Sequence, residues 1–294
     1  MTVREALALG QRQLAEAGIE FAQADVEWLL AHVTGHSRTQ LILRRTDALS
    51  ASDEVRFTGL LAQRAQRIPL QHLVGTADFL SHTFTVSPAV LTPRPETEQL
   101  ALHFIERLKR LNLPKARVLD WGTGSGCLAI SIAAALPEAS VTALDQSTGA
   151  LEVAQRNAEN ILGLGRVQFF QGNGFNALPP GTPPFDGLIS NPPYIPADEI
   201  LSLQPEVRDF DPHSALDGGV DGLEFYRAIA AEGVNFMVPG ALAAFEFGDG
   251  QASAVREIFE AKNWCVECVE KDLSERDRVL IVHAPSARGM AESP

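Results

Sequence analysis

The sequence contains only three cysteines among 294 residues, too few to build a disulfide framework. Cys265 and Cys268 have a C-x-x-C spacing in a stretch that alternates like a strand, which predicts that their side chains face opposite sides. No second cysteine or histidine pair is spaced to complete a zinc site with them. We therefore expect unreactive thiols in a reducing compartment and no bound metal ion.

Long apolar runs and an excess of basic residues are missing as well. No run of 18 apolar residues occurs, so no membrane span is expected. The opening residues 1–5 have the pattern of a helix N-cap and not that of a secretory signal. The 37 acidic residues outnumber the 24 basic ones, whereas an autonomous nucleic-acid-binding protein normally carries a basic patch. We expect a cytoplasmic, monomeric enzyme that does not bind polymeric nucleic acid.

The order of the expected elements predicts two folded parts. Residues 1–74 contain short amphipathic helix patterns and are predicted to form a small helical domain. Residues 75–92 contain two alternating segments that predict a linking β-hairpin. Over residues 93–284, helices and strands alternate at the spacing of a parallel, doubly wound α/β sheet. Residues 285–294 are expected to form a flexible tail. Strands are expected near residues 117–121, 140–145, 167–171, 185–190, 240–247, 264–270 and 277–283.

The most informative segment is Asn191-Pro192-Pro193-Tyr194, directly after an apolar run. The two prolines lack a backbone N–H, so they end the strand and stiffen the chain behind it. Asn191 then lies at the carboxyl end of a strand, where open α/β sheets bind ligands. Its side-chain oxygen and the Pro192 carbonyl are two fixed acceptors, and Tyr194 offers a flat wall. By itself the motif also fits a proline-rich turn, but as a site it suits a planar group with two N–H bonds.

A glycine loop lies about 70 residues earlier, in the segment Asp120-Trp121-Gly122-Thr123-Gly124-Ser125-Gly126. Its glycines let the backbone approach a ligand closely, and the helix behind them offers free N–H groups. The spacing differs from the dinucleotide fingerprint, and Asp120 would repel a pyrophosphate but suit an ammonium group. Asp145 closes the next strand and can accept both hydroxyls of a ribose. Together these features favour S-adenosylmethionine over NAD as the cofactor.

Two further segments accompany these motifs: Pro69-Leu70-Gln71-His72-Leu73-Val74-Gly75, and residues 86–98, which contain Pro-Arg-Pro-Glu-Thr-Glu. With the glycine loop, Asp145, the Asn191 motif and residues 211–216, they make nearly the whole chain resemble one family. It is similar to the glutamine-N5 methyltransferases that modify peptide-chain release factors, the PrmC/HemK family. In the related enzymes that methylate a ribosomal-protein glutamine, this segment is typically Pro-Arg-Ser-Pro. Pro95 therefore favours the release-factor branch of the family.

The resemblance implies a seven-stranded Rossmann-like methyltransferase sheet whose last strand is antiparallel, with an N-terminal domain that recognises the substrate. It implies methyl transfer from S-adenosylmethionine to the N5 atom of the glutamine in the Gly-Gly-Gln loop of class 1 release factors. Asn191, Pro192 and Tyr194 would be catalytic, and with Pro193 they would bind the glutamine. The residues implied to bind the cofactor are Asp120, Gly122, Thr123, Gly124, Ser125, Gly126, Asp145, Asn173, Gly174 and Asn191.

Residues 172–175 depart from the family pattern. The family usually has an acid followed by a large residue here, to hold and cover the adenine, whereas this chain has Gly172-Asn173-Gly174-Phe175. Asn173 can still accept a hydrogen bond from the adenine amine. Gly174 has no side chain, which weakens the packing of the ring or leaves it to Phe175, and Trp121 is bulkier than the usual leucine. These changes concern cofactor affinity more than reaction type, and a simple tight turn explains Asn173-Gly174 equally well.

Three other functions remain open at the level of sequence. The same chemistry on a ribosomal-protein glutamine is disfavoured by Pro95. Methylation of an exocyclic amine in DNA or RNA shares the Asn191 motif but is disfavoured by the net charge of −13. A non-catalytic protein that senses the cofactor is compatible with the departure at residues 172–174, although the intact Asn191 motif argues against it.

Overall fold

The computed structural model describes residues 1–286, in two compact units. The first unit comprises Met1–Thr76 together with Gln204–Phe210, and the second comprises Ala77–Leu203 and the chain from Asp211 onward. The domain boundaries at residues 74, 92 and 284 stay predictions. The predicted tail lies outside the described residues from residue 287 onward.

The first unit is a small helical bundle. Thr2 Oγ1 accepts a hydrogen bond from the N–H of Glu5, while Glu5 Oε2 accepts one from the N–H of Thr2, which confirms the predicted N-cap. The first two helices pack closely, because a Cβ on Gly10 would lie 2.8 Å from the methyl groups of Val26. The helices of this unit are α1 (Val3–Glu16), α2 (Ala22–Thr34), α3 (Arg38–Leu43), α4 (Ala51–Ala65), α5 (Leu70–Val74) and, later in the chain, α9 (Pro205–Arg208).

A buried arginine holds the late segment of this unit. Arg64 in α4 donates through Nε to Asp25 Oδ2 at 2.7 Å and through Nη2 to Glu206 Oε1 at 2.9 Å. Arg67 Nη2 donates to the other oxygen of Glu206 at 2.7 Å. Only 8% of the Arg64 side chain is exposed, so this guanidinium stabilises the unit from within and is not a surface charge.

We expect Arg64→Ala to lower the free energy of unfolding by roughly 3–5 kcal/mol, because it removes the ion-pair partner of Asp25 and one of the two arginine partners of Glu206, both of which are poorly solvated. Denaturant titration followed by circular dichroism measures this loss. Arg12→Ala, on the exposed face of α1, is the matched control and should change stability by less than about 0.5 kcal/mol. Equal stability of the two variants would show that the Arg64 ion pairs contribute nothing net.

The second unit begins with a hairpin, whose first residue Thr76 is the last of the preceding segment of the first unit, and continues as an α/β sheet. The hairpin consists of β1 (Thr76–Phe79) and β2 (His82–Thr85). The sheet strands are β3 (Arg117–Trp121), β4 (Ser140–Asp145), β5 (Val167–Gln171), β6 (Phe185–Ser190), β7 (Met237–Glu246), β8 (Cys265–Lys271) and β9 (Asp277–His283). The helices are α6 (Pro95–Arg110), α7 (Cys127–Ala135), α8 (Thr148–Leu162), α10 (Glu224–Glu232) and α11 (Ala252–Glu260).

The sheet has the strand order β5-β4-β3-β6-β7-β9-β8, and β9 runs antiparallel to both of its neighbours while the other pairs are parallel. This confirms the predicted doubly wound seven-stranded sheet with an antiparallel last strand. The central strands are continuous apolar runs because helices cover both faces. The chain moves outward from β3 to β5 and then returns to β6, so a crevice forms at the carboxyl ends of β3 and β6.

The hairpin packs on the core of the second unit. Phe79 and Phe84 are fully buried, with their rings edge to face and 6.0 Å between centroids. Asn157 in α8 donates to the carbonyl of Thr85 and accepts from its N–H, at 2.9 and 2.8 Å. The same amide donates to the carbonyl of Ser125 at 2.9 Å, so one side chain ties the hairpin to the glycine loop.

Strand β8 corrects the prediction for its cysteines. Cys265 pairs with His283 and Cys268 pairs with Ile281, because a bulge lies between Val266 and Cys268. Residues 281 and 283 face the same side of β9, so the two cysteines also share one face, and the prediction that they face opposite sides is wrong. Both are free thiols.

Two findings on the described chain limit other kinds of site. Within residues 1–286, no helix has both the length and the apolar character needed to cross a membrane. Over the same residues, no three histidine, cysteine, aspartate or glutamate side chains are grouped as metal ligands.

Candidate active site

A cavity lies at the carboxyl ends of β3, β4, β5 and β6, where the strand order reverses. Together with the solvent space at its open mouth it takes up about 970 Å³. Of the predicted site residues, those on its wall are Gly122, Thr123, Gly124, Ser125, Asp145, Asn173, Gly174, Asn191 and Pro193. Those not on the wall are Asp120, Gly126, Pro192 and Tyr194.

The glycine loop joins β3 to α7 through three left-handed backbone positions. The φ angle is +79° at Gly122, +55° at Gly124 and +83° at Gly126. A Cβ on either of the first two would meet no atom within 4 Å, so these glycines leave space beside the backbone at the cavity. A Cβ on Gly126 would lie 2.9 Å from Ile130 and 3.1 Å from Ala154, so this glycine instead permits close packing of α7 and α8.

Asp120 lies beneath the glycine loop and is fully buried. Its Oδ2 accepts from Thr123 Oγ1 at 2.6 Å and from the N–H of Ala129 at 3.1 Å, which ties the loop to the first turn of α7. Burial raises the pKa of this carboxyl to about 7. Its predicted contact with the ammonium group of the cofactor stays a prediction, since the side chain supports the loop from behind the wall.

Asp145, at the end of β4, lines the cavity. Its Oδ2 accepts from the N–H of Gly124 and its Oδ1 from the N–H of Ser147, each at 2.9 Å. Burial is the main cause that raises the pKa of this carboxyl. Each oxygen can accept a second hydrogen bond, so the fixed carboxylate can also accept from the hydroxyl groups of a ligand.

Residues 172–175 form the part of the wall beyond β5. Asn173 and Gly174 line the cavity, but Phe175 does not. The Phe175 ring is buried and stacks on Phe236, with 4.8 Å between centroids and 9° between planes. The suggestion that Phe175 covers a bound adenine is therefore wrong, because this ring is part of the hydrophobic core.

The side-chain amide of Asn191 is held by a chain of hydrogen bonds. Asn191 Nδ2 donates to Thr97 Oγ1 at 3.0 Å, and the Thr97 hydroxyl donates to Glu246 Oε2 at 2.7 Å. Because the single hydroxyl proton of Thr97 is used on Glu246, Thr97 can only accept from Asn191. This fixes Nδ2 towards Thr97 and leaves Asn191 Oδ1 as the free acceptor at the cavity.

Glu246, at the end of β7, is the buried last member of this series of hydrogen bonds. It is 1% exposed, and burial raises its pKa to about 7 against the opposing effects of Thr97 and Arg278. Tyr194 lies on its other side and donates its hydroxyl to Oε1 at 3.3 Å. Burial raises the pKa of Tyr194, so its hydroxyl stays protonated at neutral pH.

Tyr194, predicted to form a flat wall, and Pro192, predicted to offer its carbonyl as an acceptor, are not among the residues that line the cavity. Gln251 Nε2 donates to the carbonyl of Tyr194 at 2.9 Å, and Gly248 and Gly222 pack against the same residue. Pro192 is buried. The flat wall of Tyr194 and the acceptor carbonyl of Pro192 therefore stay predictions, whereas the contact of Tyr194 with Glu246 is an added structural role.

Sequence reasoning missed Thr97 and Glu246. Thr97 lies in the Pro-Arg-Pro-Glu-Thr-Glu segment, which served only as a family marker. Glu246 carried a usable signal, since it is an acid that ends a buried apolar strand, as Asp145 does, and Asp120 lies one residue before the end of its own strand. Acids in that position converge on the crevice of a doubly wound sheet.

The chain is similar to two families of known domains and to many curated proteins. The PrmC N-terminal domain family matches residues 5–75, and the methyltransferase small domain family matches residues 98–202. A release factor glutamine methyltransferase of Geobacter sulfurreducens is 41% identical over 95% of this chain and 95% of its own length. The protein of the same description from Cereibacter sphaeroides is 40% identical over 98% of this chain and 100% of its own.

Among solved structures, a methyltransferase from Pyrococcus furiosus aligns with a TM-score of 0.50 and 19% identity. The alignment covers 69% of this chain and 88% of that one. At this identity the similarity concerns the fold alone, and it agrees with the seven-stranded sheet described above.

Proposed function

We propose, from the premise that this chain belongs to the release factor glutamine methyltransferase family, that it methylates the side-chain nitrogen N5 of a glutamine with S-adenosylmethionine. The target is the glutamine in the Gly-Gly-Gln loop of class 1 peptide chain release factors. The observation that supports this best is Asn191, whose free Oδ1 is held at the cavity by Thr97 and Glu246. A fixed acceptor suits a carboxamide, which has N–H bonds to donate.

S-adenosylmethionine is the methyl donor, and the cavity fits it. The glycine loop leaves open space beside its backbone at Gly122 and Gly124, and Asp145 can accept from ribose hydroxyls. We propose that the residues predicted to bind the cofactor form its site. Asp120 and Gly126 would contribute by holding the glycine loop in shape. When bound, the cofactor supplies an electrophilic methyl group on a sulfonium.

Asn191 would act by orienting a weak nucleophile. The amide nitrogen of glutamine is poorly nucleophilic because its lone pair is delocalised into the carbonyl. Asn191 Oδ1 and the Pro192 carbonyl would accept hydrogen bonds from the two N–H groups of the glutamine amide. They would also stabilise the positive charge that develops on its nitrogen. The nitrogen would accept the methyl group that the bound cofactor supplies and would lose one of its amide protons to water. Orientation and electrostatics account for the rate gain, without a covalent intermediate on the protein.

The partner is a protein, and we propose that the enzyme acts as a cytoplasmic monomer, where release factors function. The N-terminal helical unit is proposed to contact the release factor. A net charge of −13 disfavours DNA or RNA as the methyl acceptor.

The acceptor is tested by incubating the protein with labelled S-adenosylmethionine and a purified class 1 release factor, ribosomal proteins or duplex DNA. We expect label on the release factor alone. Label on a ribosomal protein or on DNA would show that this protein methylates that class of substrate instead.

Two substrate variants sharpen this test. A release factor with the loop Gln→Ala should take no label, since it lacks the methylated nitrogen. One with Gln→Glu should also fail, because a carboxylate has no N–H to donate and leaves the Asn191 acceptor unpaired. Methylation of either variant would show that the target atom lies elsewhere.

A further inference from the structure

Trp121 and Gly174 are neighbours in the cavity wall, and the side chain of one takes up the space beside the other. Trp121 ends β3, and Gly174 follows β5, two strands away in the sheet. A Cβ on Gly174 would lie 3.5 Å from Trp121 Cζ2 and 3.7 Å from Nε1, so a longer side chain there would meet the indole. The φ angle of +64° at Gly174 further favours glycine at this position. The indole therefore occupies the space that a large side chain at residue 174 would fill.

Trp121 is held through both its ring and its backbone. The Phe225 ring lies edge to face against it, with 5.5 Å between centroids and 66° between planes. Ser190 Oγ donates to the backbone carbonyl of Trp121 at 2.6 Å. Trp121, Gly174 and Phe225 all line the cavity. A rigid aromatic corner is thus present beside Asn173, where the sequence departs from the family pattern.

The indole N–H gives this corner a polar feature. Trp121 is 6% exposed, and its Nε1 has no hydrogen-bond partner among residues 1–286. A buried N–H without an acceptor is uncommon and calls for an explanation. By contrast, Trp264 Nε1 donates to the carbonyl of Ala230 at 3.0 Å. An acceptor on a ligand in the cavity would satisfy the Trp121 donor.

We propose that Trp121 binds the adenine of S-adenosylmethionine, in place of a side chain at residue 174. The ring nitrogens of a purine accept hydrogen bonds in the plane of the ring, as the in-plane indole N–H requires, and the apolar part of the purine suits the corner formed by Trp121 and Phe225. Asn173, the neighbour of Gly174, can pair with the exocyclic amine. This role of Trp121 rests on the proposed function through the cofactor only, and not through the methyl acceptor.

The test measures binding of S-adenosylhomocysteine and of adenosine to the full chain by titration calorimetry. Trp121→Leu should raise the Kd of both ligands by roughly two- to tenfold, the effect expected for loss of one hydrogen bond to the base. Trp121→Phe should lie between, because it keeps a ring but loses the N–H. Trp28→Phe, in the helical unit, is the matched control and should bind both ligands as the parent does.

Using two ligands separates the base from the rest of the cofactor. If Trp121→Leu is folded by circular dichroism and binds adenosine with the parental Kd, the proposal is overturned. A loss for S-adenosylhomocysteine without a loss for adenosine would also overturn it, because the contact would then lie on the amino-acid part.

The indole resonances give a second readout that does not depend on activity. With nitrogen-15-labelled tryptophan, the Trp121 indole N–H should shift on addition of adenosine, while those of Trp28 and Trp264 stay in place. An unmoved Trp121 resonance in the saturated protein would contradict the contact. If release factor takes no label but these ligands bind in a Trp121-dependent way, the methyl acceptor is wrong and the role of Trp121 stands.

Discussion

Asn191→Ala is expected to lower kcat by roughly 100- to 1,000-fold, the loss typical of removing one preorganised polar contact to a reacting group. Asn191 Oδ1 has a fixed direction because Nδ2 is bonded to Thr97, which is bonded in turn to Glu246. Alanine keeps the backbone but leaves the substrate N–H unpaired, so the amide nitrogen loses its orientation. The initial rate of methyl transfer to the release factor measures this effect.

The binding of S-adenosylhomocysteine to the same variant separates chemistry from cofactor affinity. We expect a Kd within about threefold of the parent, since a single neutral hydrogen bond contributes only about 0.5–1.5 kcal/mol. Asn160→Ala, on the exposed side of α8, is the matched control and should turn over at the parental rate. An Asn191→Ala protein with near-normal kcat would remove Asn191 from the mechanism.

Glu246→Gln is expected to lower kcat by roughly 10- to 100-fold, because it removes a charge-assisted hydrogen bond of about 1.5–3 kcal/mol from the support of Asn191. A glutamine can donate to Thr97 Oγ1, which frees the Thr97 hydroxyl to donate to Asn191. The Asn191 amide would then turn its Nδ2 towards the cavity, where an acceptor is needed. Single-turnover methyl transfer measures the loss, and Glu257→Gln on the exposed face of α11 is the control.

Protonation of Glu246 should have the same effect as this substitution. Burial raises its pKa to about 7, so the carboxylate is the major form only above that pH. The rate should therefore fall as the pH drops through about 7 and reach a plateau above it. The charged and titratable groups around Glu246 include Tyr194, Tyr226, Cys127, Glu96 and Arg278, and Arg278 opposes the rise in the pKa of Glu246.

The variants assign the pH dependence to one group. In Glu246→Gln the rate should be low and flat between about pH 6 and 8, because the titrating group near pH 7 is gone. Asp120 also has a pKa raised to about 7, so Asp120→Asn is needed beside it and should keep the fall in rate. A fall that persists in Glu246→Gln and disappears in Asp120→Asn would contradict the role of Glu246.

Local signals in the sequence were enough to predict the strands that build the site. Strand β6 was expected at residues 185–190 and is found at Phe185–Ser190. The prediction was accurate because prolines lie on both sides of its apolar run and mark its two ends. Strand β7 was expected at residues 240–247 but begins at Met237, since it continues through Pro239-Gly240 with an irregular register. A Pro-Gly pair normally predicts a turn, and only the pairing with β6 shows that the strand continues.

Contacts between distant residues could not be predicted from the same signals. Thr97 and Glu246 are 149 residues apart, and their hydrogen bond depends on the start of α6 facing the end of β7. The burial of Asp120 depends in the same way on how α7 packs behind the loop. Residues 204–210 were not assigned to the first unit, because a four-residue helix carries little periodicity, and its ion pairs with Arg64 and Arg67 cannot be inferred from spacing.

Tandem mass spectrometry of the release factor, after incubation with this protein and S-adenosylmethionine, tests the central claim most directly. We predict one added methyl group, located on the side chain of the glutamine in the Gly-Gly-Gln loop, and a strongly reduced yield with Asn191→Ala. A methyl group on any other residue, or an unmodified factor in the presence of a protein that binds S-adenosylhomocysteine, would contradict the assignment.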